Sequence, residues 1–172
     1  MRNALASTAV LLAVLLPAAA LAQSADATVI AKFKEKDPGM AKVFADAYGY
    51  VIFPTVGKGA IGIGAARGKG RVFERGEPVG RSTLTQVTVG FQLGGQAYSE
   101  VIFFKDKTAL DDFKRGNFEF DAQVSAIALT ARASRDLAYN RGVAIVTMAK
   151  GGLMYEASVG GQKFSYKAIQ SK

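Results

Sequence analysis

The stretch Tyr48–Arg71 reads YGYVIFPTVGKGAIGIGAARGKGR. It opens as a short apolar strand, Tyr50–Phe53, which Pro54 is expected to stop. Six glycines follow between positions 57 and 70, and four cations are threaded through them: Lys58, Arg67, Lys69 and Arg71. Gly57-x-Gly59-x-x-Gly62 matches the dinucleotide-binding fingerprint letter by letter. Its context does not match, because that turn must open a helix whose N-terminus meets the pyrophosphate. Here more glycines follow, each costing a helix about 1 kcal/mol. The later Gly64–Gly70 run has neither the spacing of a P-loop nor a Ser/Thr after its lysine. Two readings of the stretch remain. Strand glycines let a sheet bend or its neighbours pack closely. Exposed backbone N–H groups with flanking cations bind phosphate oxygens. The first explains the glycines better, and the cations are separate support for the second.

Working outward, Ser24–Lys36 reads as an amphipathic helix with Val29, Ile30 and Phe33 on one face and Lys32, Lys34 and Lys36 among the residues around it. Asp37-Pro38 restarts a helix that turns Met40, Val43, Phe44 and Ala47 inward and ends near Gly49. Beyond the glycines, 71–74 and 78–81 predict a hairpin. Residues 83–93 predict a strand whose apolar face carries Thr85, Val87, Val89, Phe91 and Leu93. Gly94-Gly95 turns the chain into a strand over 96–104, whose apolar end, Val101–Phe104, is expected to be covered on both faces. Asp106–Arg115 predicts a short helix with Thr108 and Asp111 at capping-box spacing. Strands are expected over 118–130, 143–150, 153–159 and 163–168, with a loop or irregular turn over 131–141. Short connections argue for antiparallel pairing. The expected fold is a single α+β domain: a strongly bent antiparallel sheet or small barrel, covered by N-terminal helices, with one short mid-chain helix.

The 172 residues carry a formal net charge of +8 and no cysteine or histidine. Residues 1–22 have the form of a signal peptide: Arg2, an apolar run over 9–16, Pro17, and Ala20-Leu21-Ala22 as the cleavage site before Gln23. The domain is then 23–172, exported and periplasmic or peripherally bound to a membrane. With no cysteine after the leader, lipidation on a thiol is ruled out. Without histidine or cysteine, Ser-His and Cys-His pairs and the usual zinc sites are excluded. No G-x-S-x-G elbow occurs and no serine is followed three positions later by lysine. The carboxylates are scattered. No enzyme activity, metal or cofactor is expected. A cationic surface favours anionic partners, and export makes nucleic acid the wrong one.

The ordered elements together resemble a known family. They are Ala47-x-Gly49-Tyr50-Val-Ile-Phe-Pro54, Val56-x-Lys58-Gly-x-x-Gly-x-Gly64, Gly68-x-Gly70, and Gln92-x-Gly94-Gly95-Gln96-x-x-Ser99-Glu100-Val-Ile. A Leu110-x-x-Phe113 helix and Gly152-Leu-Met-x-x-x-Ser-Val-x-Gly161 complete the set. The set is similar to the SYLF domain, also called the Las-seventeen-binding or actin-regulator domain. The resemblance implies binding of anionic phospholipids and, in eukaryotic members, phosphoinositides. It also implies a contribution from a basic N-terminal helix, which falls by position on Lys32, Lys34 and Lys36. Actin bundling belongs to cytoplasmic members, and an exported chain has no actin to meet.

The expected function is therefore non-catalytic binding of anionic lipid head groups in the cell envelope. The expected site is Lys58, Arg67, Lys69 and Arg71, with Lys32, Lys34 and Lys36. The alternative is a structural or interaction protein of the envelope that binds a protein or polymer.

Overall fold

A computed structural model describes residues 18–61, 63–89, 96–116, 118–120, 126–150, 159 and 161–169; at 18–22, 24, 58–61, 63–64, 88–89 and 96 it describes the backbone only. Helix α1 (Ala18–Lys36) and helix α2 (Met40–Asp46) lead into strands β1 (Gly49–Ile61), β2 (Ile63–Glu74), β3 (Glu77–Val89) and β4 (Gln96–Phe104). Helix α3 (Lys107–Lys114), strands β5 (Phe118–Glu119) and β6 (Ile127–Ala128), helix α4 (Ala133–Asp136), and strands β7 (Val143–Ala149) and β8 (Lys163–Ala168) follow. The strands form one sheet in the order β5-β8-β3-β2-β1-β4-β7-β6. All pairs are antiparallel except β6 with β7.

The sheet is strongly curled. Strands β8 and β1 stand three places apart, which on a flat sheet is about 14 Å. Yet the rings of Phe164 on β8 and Phe53 on β1 lie 5.8 Å apart, centroid to centroid. The inner face packs Val51, Phe53, Val72, Leu84, Ile102, Phe104 and Phe164 against α3 through Leu110 and Phe113. The outer face of β1, β4 and β7 packs Tyr50, Ile52, Val101, Phe103 and Val146 against Val29 and Phe33 of α1, Met40 of α2 and Ala133 of α4. Both faces of 101–104 are covered, as their continuous apolar character implies. The α1–α2 junction is tied down by Asp37, whose carboxylate accepts the N–H groups of Gly39 (2.9 Å) and Ser134 (2.6 Å). These bonds, Ser134 foremost, hold the Asp37 carboxyl below the usual range.

The expected α+β curled sheet is what the chain forms, but several local expectations are corrected. Pro54 does not stop the first strand. Val56 pairs with Gly68 and Ile52 with Arg71, so three residues of β1 oppose two of β2. This one-residue bulge takes up a proline that has no N–H to give a central ladder. The glycine stretch is thus the β1–β2 hairpin itself. Residues 77–89 form one strand, joined to β2 by Arg75 and Gly76, both at positive φ (50° and 86°). On β3 the faces are the reverse of those expected: Ser82, Leu84 and Gln86 point inward, and Val87 is 72% exposed. Helix α3 is capped by Asp106, whose Oδ1 accepts the Ala109 N–H at 2.9 Å, while Asp111 pairs with Lys107 instead of serving a capping box. Residues 118–130 are not one strand, since β5 and β6 lie at opposite edges of the sheet. The turn at Gly94-Gly95 and the strand expected over 153–159 lie outside the described residues, apart from Val159.

Candidate anion-binding surface

On β2 the sequence Arg67-Gly68-Lys69-Gly70-Arg71 alternates cations with glycines, and a strand sends alternate residues to opposite faces. The glycines point inward, where no side chain fits. A Cβ on Gly68 would lie 2.9 Å from Val56 Cγ2, and one on Gly70 would lie 2.6 Å from the Ile52 carbonyl and 2.7 Å from the Phe53 ring. The cations therefore point outward. The bulge bends β1 beside them, and Pro54, Thr55, Arg67, Gly68 and Lys69 line a shallow groove of about 460 Å³. Lys150 reaches its rim, Nζ donating to Thr55 Oγ1 at 2.6 Å. Beneath it, the buried Ser99 hydroxyl donates to the Pro54 carbonyl at 2.8 Å and fixes the bulge.

Register extends this surface across two more strands. Arg67 lies opposite Thr85, which lies opposite Lys163; Lys69 opposite Thr83, then Ser165; Arg71 opposite Arg81, then Lys167. Directly opposed residues share a face. Thr83, Thr85, Ser165, Lys163 and Glu119 border a second shallow groove of about 420 Å³. Arg67, Lys69, Arg81, Lys163 and Lys167 are all exposed. Glu119 offsets part of the charge through a 3.4 Å pair with Lys163. The result is an outward plane of cations and hydroxyls on the part of the sheet that α1, α2 and α4 leave uncovered. Like charges directly opposite, as at Arg81 and Lys167, destabilise a sheet on their own. An anion laid across them would relieve that.

The seven residues expected from the sequence separate into groups. Arg67 and Lys69 meet in the first groove. Lys58 is in β1, paired in register with Ala66 and Gln96, and its side chain lies outside what the structure describes. Arg71 is held differently: its Nε donates to Asp26 of α1, and its guanidinium sits 5.3 Å from the Phe73 ring centroid. The Asp26 carboxyl is only 2% exposed, and burial pushes its pKa up, with the Arg71 bond and charge opposing. Arg71 anchors a helix. Lys32, Lys34 and Lys36 are exposed on α1, on the same side of the sheet, and Lys34 Nζ stands 6.0 Å from the Phe44 ring. The apolar stripe of α1 is occupied, with Val29 4% and Phe33 0% exposed against the sheet. Sequence reading missed Arg81, Lys150, Lys163 and Lys167. The alternation Lys163-Phe-Ser-Tyr-Lys167 was a visible signal; the register that sets it beside Arg67 and Lys69 was not.

Among the described residues no cluster of acidic side chains could hold a metal ion, and no helix is long and apolar enough to cross a membrane.

Residues 85–168 match the family model described as Ysc84, Las17-binding protein actin regulator. Over these residues the chain is similar to the SYLF family. It is also 29% identical over 143 residues to beta cell expansion factor A of Aeromonas veronii. That match covers 81% of this chain and 53% of the relative, so the chain spans about half the length of the curated relative it matches. The matched region starts within β3 and includes β4 to β8. The glycine hairpin β1–β2 and the N-terminal helices precede it.

Proposed function

We propose that this SYLF-like protein is a non-catalytic lipid-binding module that docks on anionic phospholipid head groups through the outer face of β2, β3 and β8. The observation that carries this reading is the in-register cation and hydroxyl plane, above all Arg67 and Lys69 in the groove beside Thr55, extended by Arg81, Lys163 and Lys167. Lipid phosphates offer charged acceptor oxygens to such donors, and Arg is suited to paired contacts with them. The array faces outward from the curled sheet, where it can meet a membrane surface, and each cation near that surface contributes about 1 kcal/mol. Similarity to the SYLF family supports the lipid class. The leader-like N-terminus supports an exported protein acting at an envelope membrane, with neither nucleic acid nor actin as partner. The apolar stripe of α1 is packed on the sheet, so docking is by charge at the surface and not by insertion of that stripe.

Sedimentation with vesicles tests this. Binding is expected to rise with the anionic lipid fraction, to be weak on neutral phosphatidylcholine, and to fall as salt shortens the range of the field. Equal binding to neutral and anionic vesicles would contradict it.

A further inference from the structure

The inner face of the curled sheet holds a polar cluster that lipid docking does not use. Glu100 on β4 is 0% exposed, and so is Gln162, in the turn before β8. Gln162 Nε2 donates to Glu100 Oε2 at 3.0 Å and to the Tyr98 hydroxyl at 3.2 Å. The other oxygen of each side chain, Glu100 Oε1 and Gln162 Oε1, has no hydrogen-bond partner. Buried acceptors left unsatisfied are costly, and a buried carboxylate without a cation is costlier still. No cation faces Glu100 among the described residues. Its cross-strand neighbours are Phe53 on β1 and Thr147 on β7, and Tyr98, two residues before it on β4, is the titratable group beside it. The outward cations of β2, β3 and β8 are on the opposite side of the sheet.

One proton removes both deficits. A neutral carboxylic acid has an O–H donor, and a primary amide presents a donor and an acceptor side by side. We infer that Glu100 is held as the neutral acid and forms a two-way pair with Gln162, its O–H donating to Gln162 Oε1 while Gln162 Nε2 donates back, so that the pair is a proton-dependent latch between β4 and the 159–162 turn. That turn carries more than itself. Phe120 N–H donates to the Gln162 carbonyl and Gly161 N–H to the Phe120 carbonyl, both at 3.0 Å. Loss of the proton to solvent leaves a carboxylate facing an amide oxygen in an apolar interior, and the turn with Phe120 loosens. Burial supports this assignment: it pushes the Glu100 pKa up to about 7, against the smaller opposing effect of the Gln162 bond.

The sign follows from linkage. The folded value lies above the ordinary 4.5, so the stabilisation is complete below about pH 4.5 and is lost as pH rises to about 7. Within that window the unfolding constant gains tenfold per pH unit from this group alone. Asp26 shifts in the same direction, so the variant comparison isolates Glu100. Urea unfolding of the wild type and Glu100→Gln across pH 4.5 to 8.5 tests the latch. The amide in the variant keeps both bonds at every pH. The wild type is expected to weaken up to about pH 7 and then level off, with the variant losing that component. Identical pH profiles would overturn the latch. If the variant does not fold, carbon NMR of the wild-type Glu100 carboxyl decides: a neutral acid at pH 6 supports the latch, and a midpoint near 4.5 overturns it. Hydrogen exchange at Gly161 and Phe120 reads the loosening, with protection expected to drop about tenfold or more from pH 5.5 to 8. Unchanged protection would overturn the coupling to the turn.

Discussion

The outward cations of β2 look alike in sequence and are predicted to behave differently when removed. In the double variant Arg67→Gln, Lys69→Gln, two exposed charges leave the groove beside Thr55 while the inward glycines and the bulge are untouched. At about 1 kcal/mol for each cation near an anionic surface, the loss is about 2 kcal/mol, or roughly 30-fold in vesicle affinity. Folding stability is expected to change by less than about 0.5 kcal/mol, as for exposed substitutions in general. Arg71→Gln should do the opposite. It leaves the Asp26 carboxyl, 2% exposed, without its partner, and breaking a buried pair from one side costs about 3 kcal/mol. Its folded fraction should bind vesicles nearly as the wild type does. The assay is partitioning onto vesicles of about 30% anionic lipid at low salt, with urea unfolding in parallel; the lipid fraction is chosen so that the field is strong and screenable. A well-folded double variant that binds within threefold of wild type would refute the assignment of the groove.

Two further outcomes follow from the packing and charges. Gly70→Ala should cost about 2 kcal/mol in urea unfolding, because its Cβ meets backbone at Ile52 and the Phe53 ring, while Gly57→Ala, with open space around it, should be near neutral; equal effects would show that the inward glycines are not packing positions. At the acid end, Glu74 is held below its ordinary 4.5 by bonds from Lys114 and Tyr48, so its stabilisation is present above pH 4.5 and lost as pH falls through the lower folded value; Glu74→Gln should flatten that acid limb, and an unchanged limb would assign it elsewhere.

The curled α+β sheet was legible because local patterns agreed with it. The short connection between 71–74 and 78–81 implied the β2–β3 hairpin, and the helix faces were readable from Val29, Phe33 and Met40, whereas the strand that follows Gly94-Gly95 pairs with β1 and β7 instead of β3. What sequence did not reveal was phase and register. Residues 83–89 carry apolar side chains in both phases, Leu84 in one and Val87 and Val89 in the other. The phase is settled across strands: Leu84 stands opposite Gly68 and Phe164 and fills the space that the glycine leaves. The same register gathers Arg81, Lys163 and Lys167 around Arg67 and Lys69, bringing together residues up to about a hundred positions apart. It also takes Arg71 out of the binding set, because the Asp26 that claims it comes from a helix whose docking a linear pattern does not specify. Pro54 misled for a related reason: it can stay within a central strand only because a bulge and the Ser99 hydroxyl accommodate it. Glu100 was part of a recognisable motif, but its solitude inside the sheet is a property of the curl.

The absence of cysteine from the chain makes the central claim directly measurable. A spin label on Thr83→Cys, at the border of the second groove and opposite Lys69, should lose access to water-soluble relaxants when anionic vesicles are added, while one on Asn140→Cys, just before β7, should keep it. Equal accessibility changes at both positions, or protection at Asn140 alone, would contradict docking through the outer face of β2, β3 and β8.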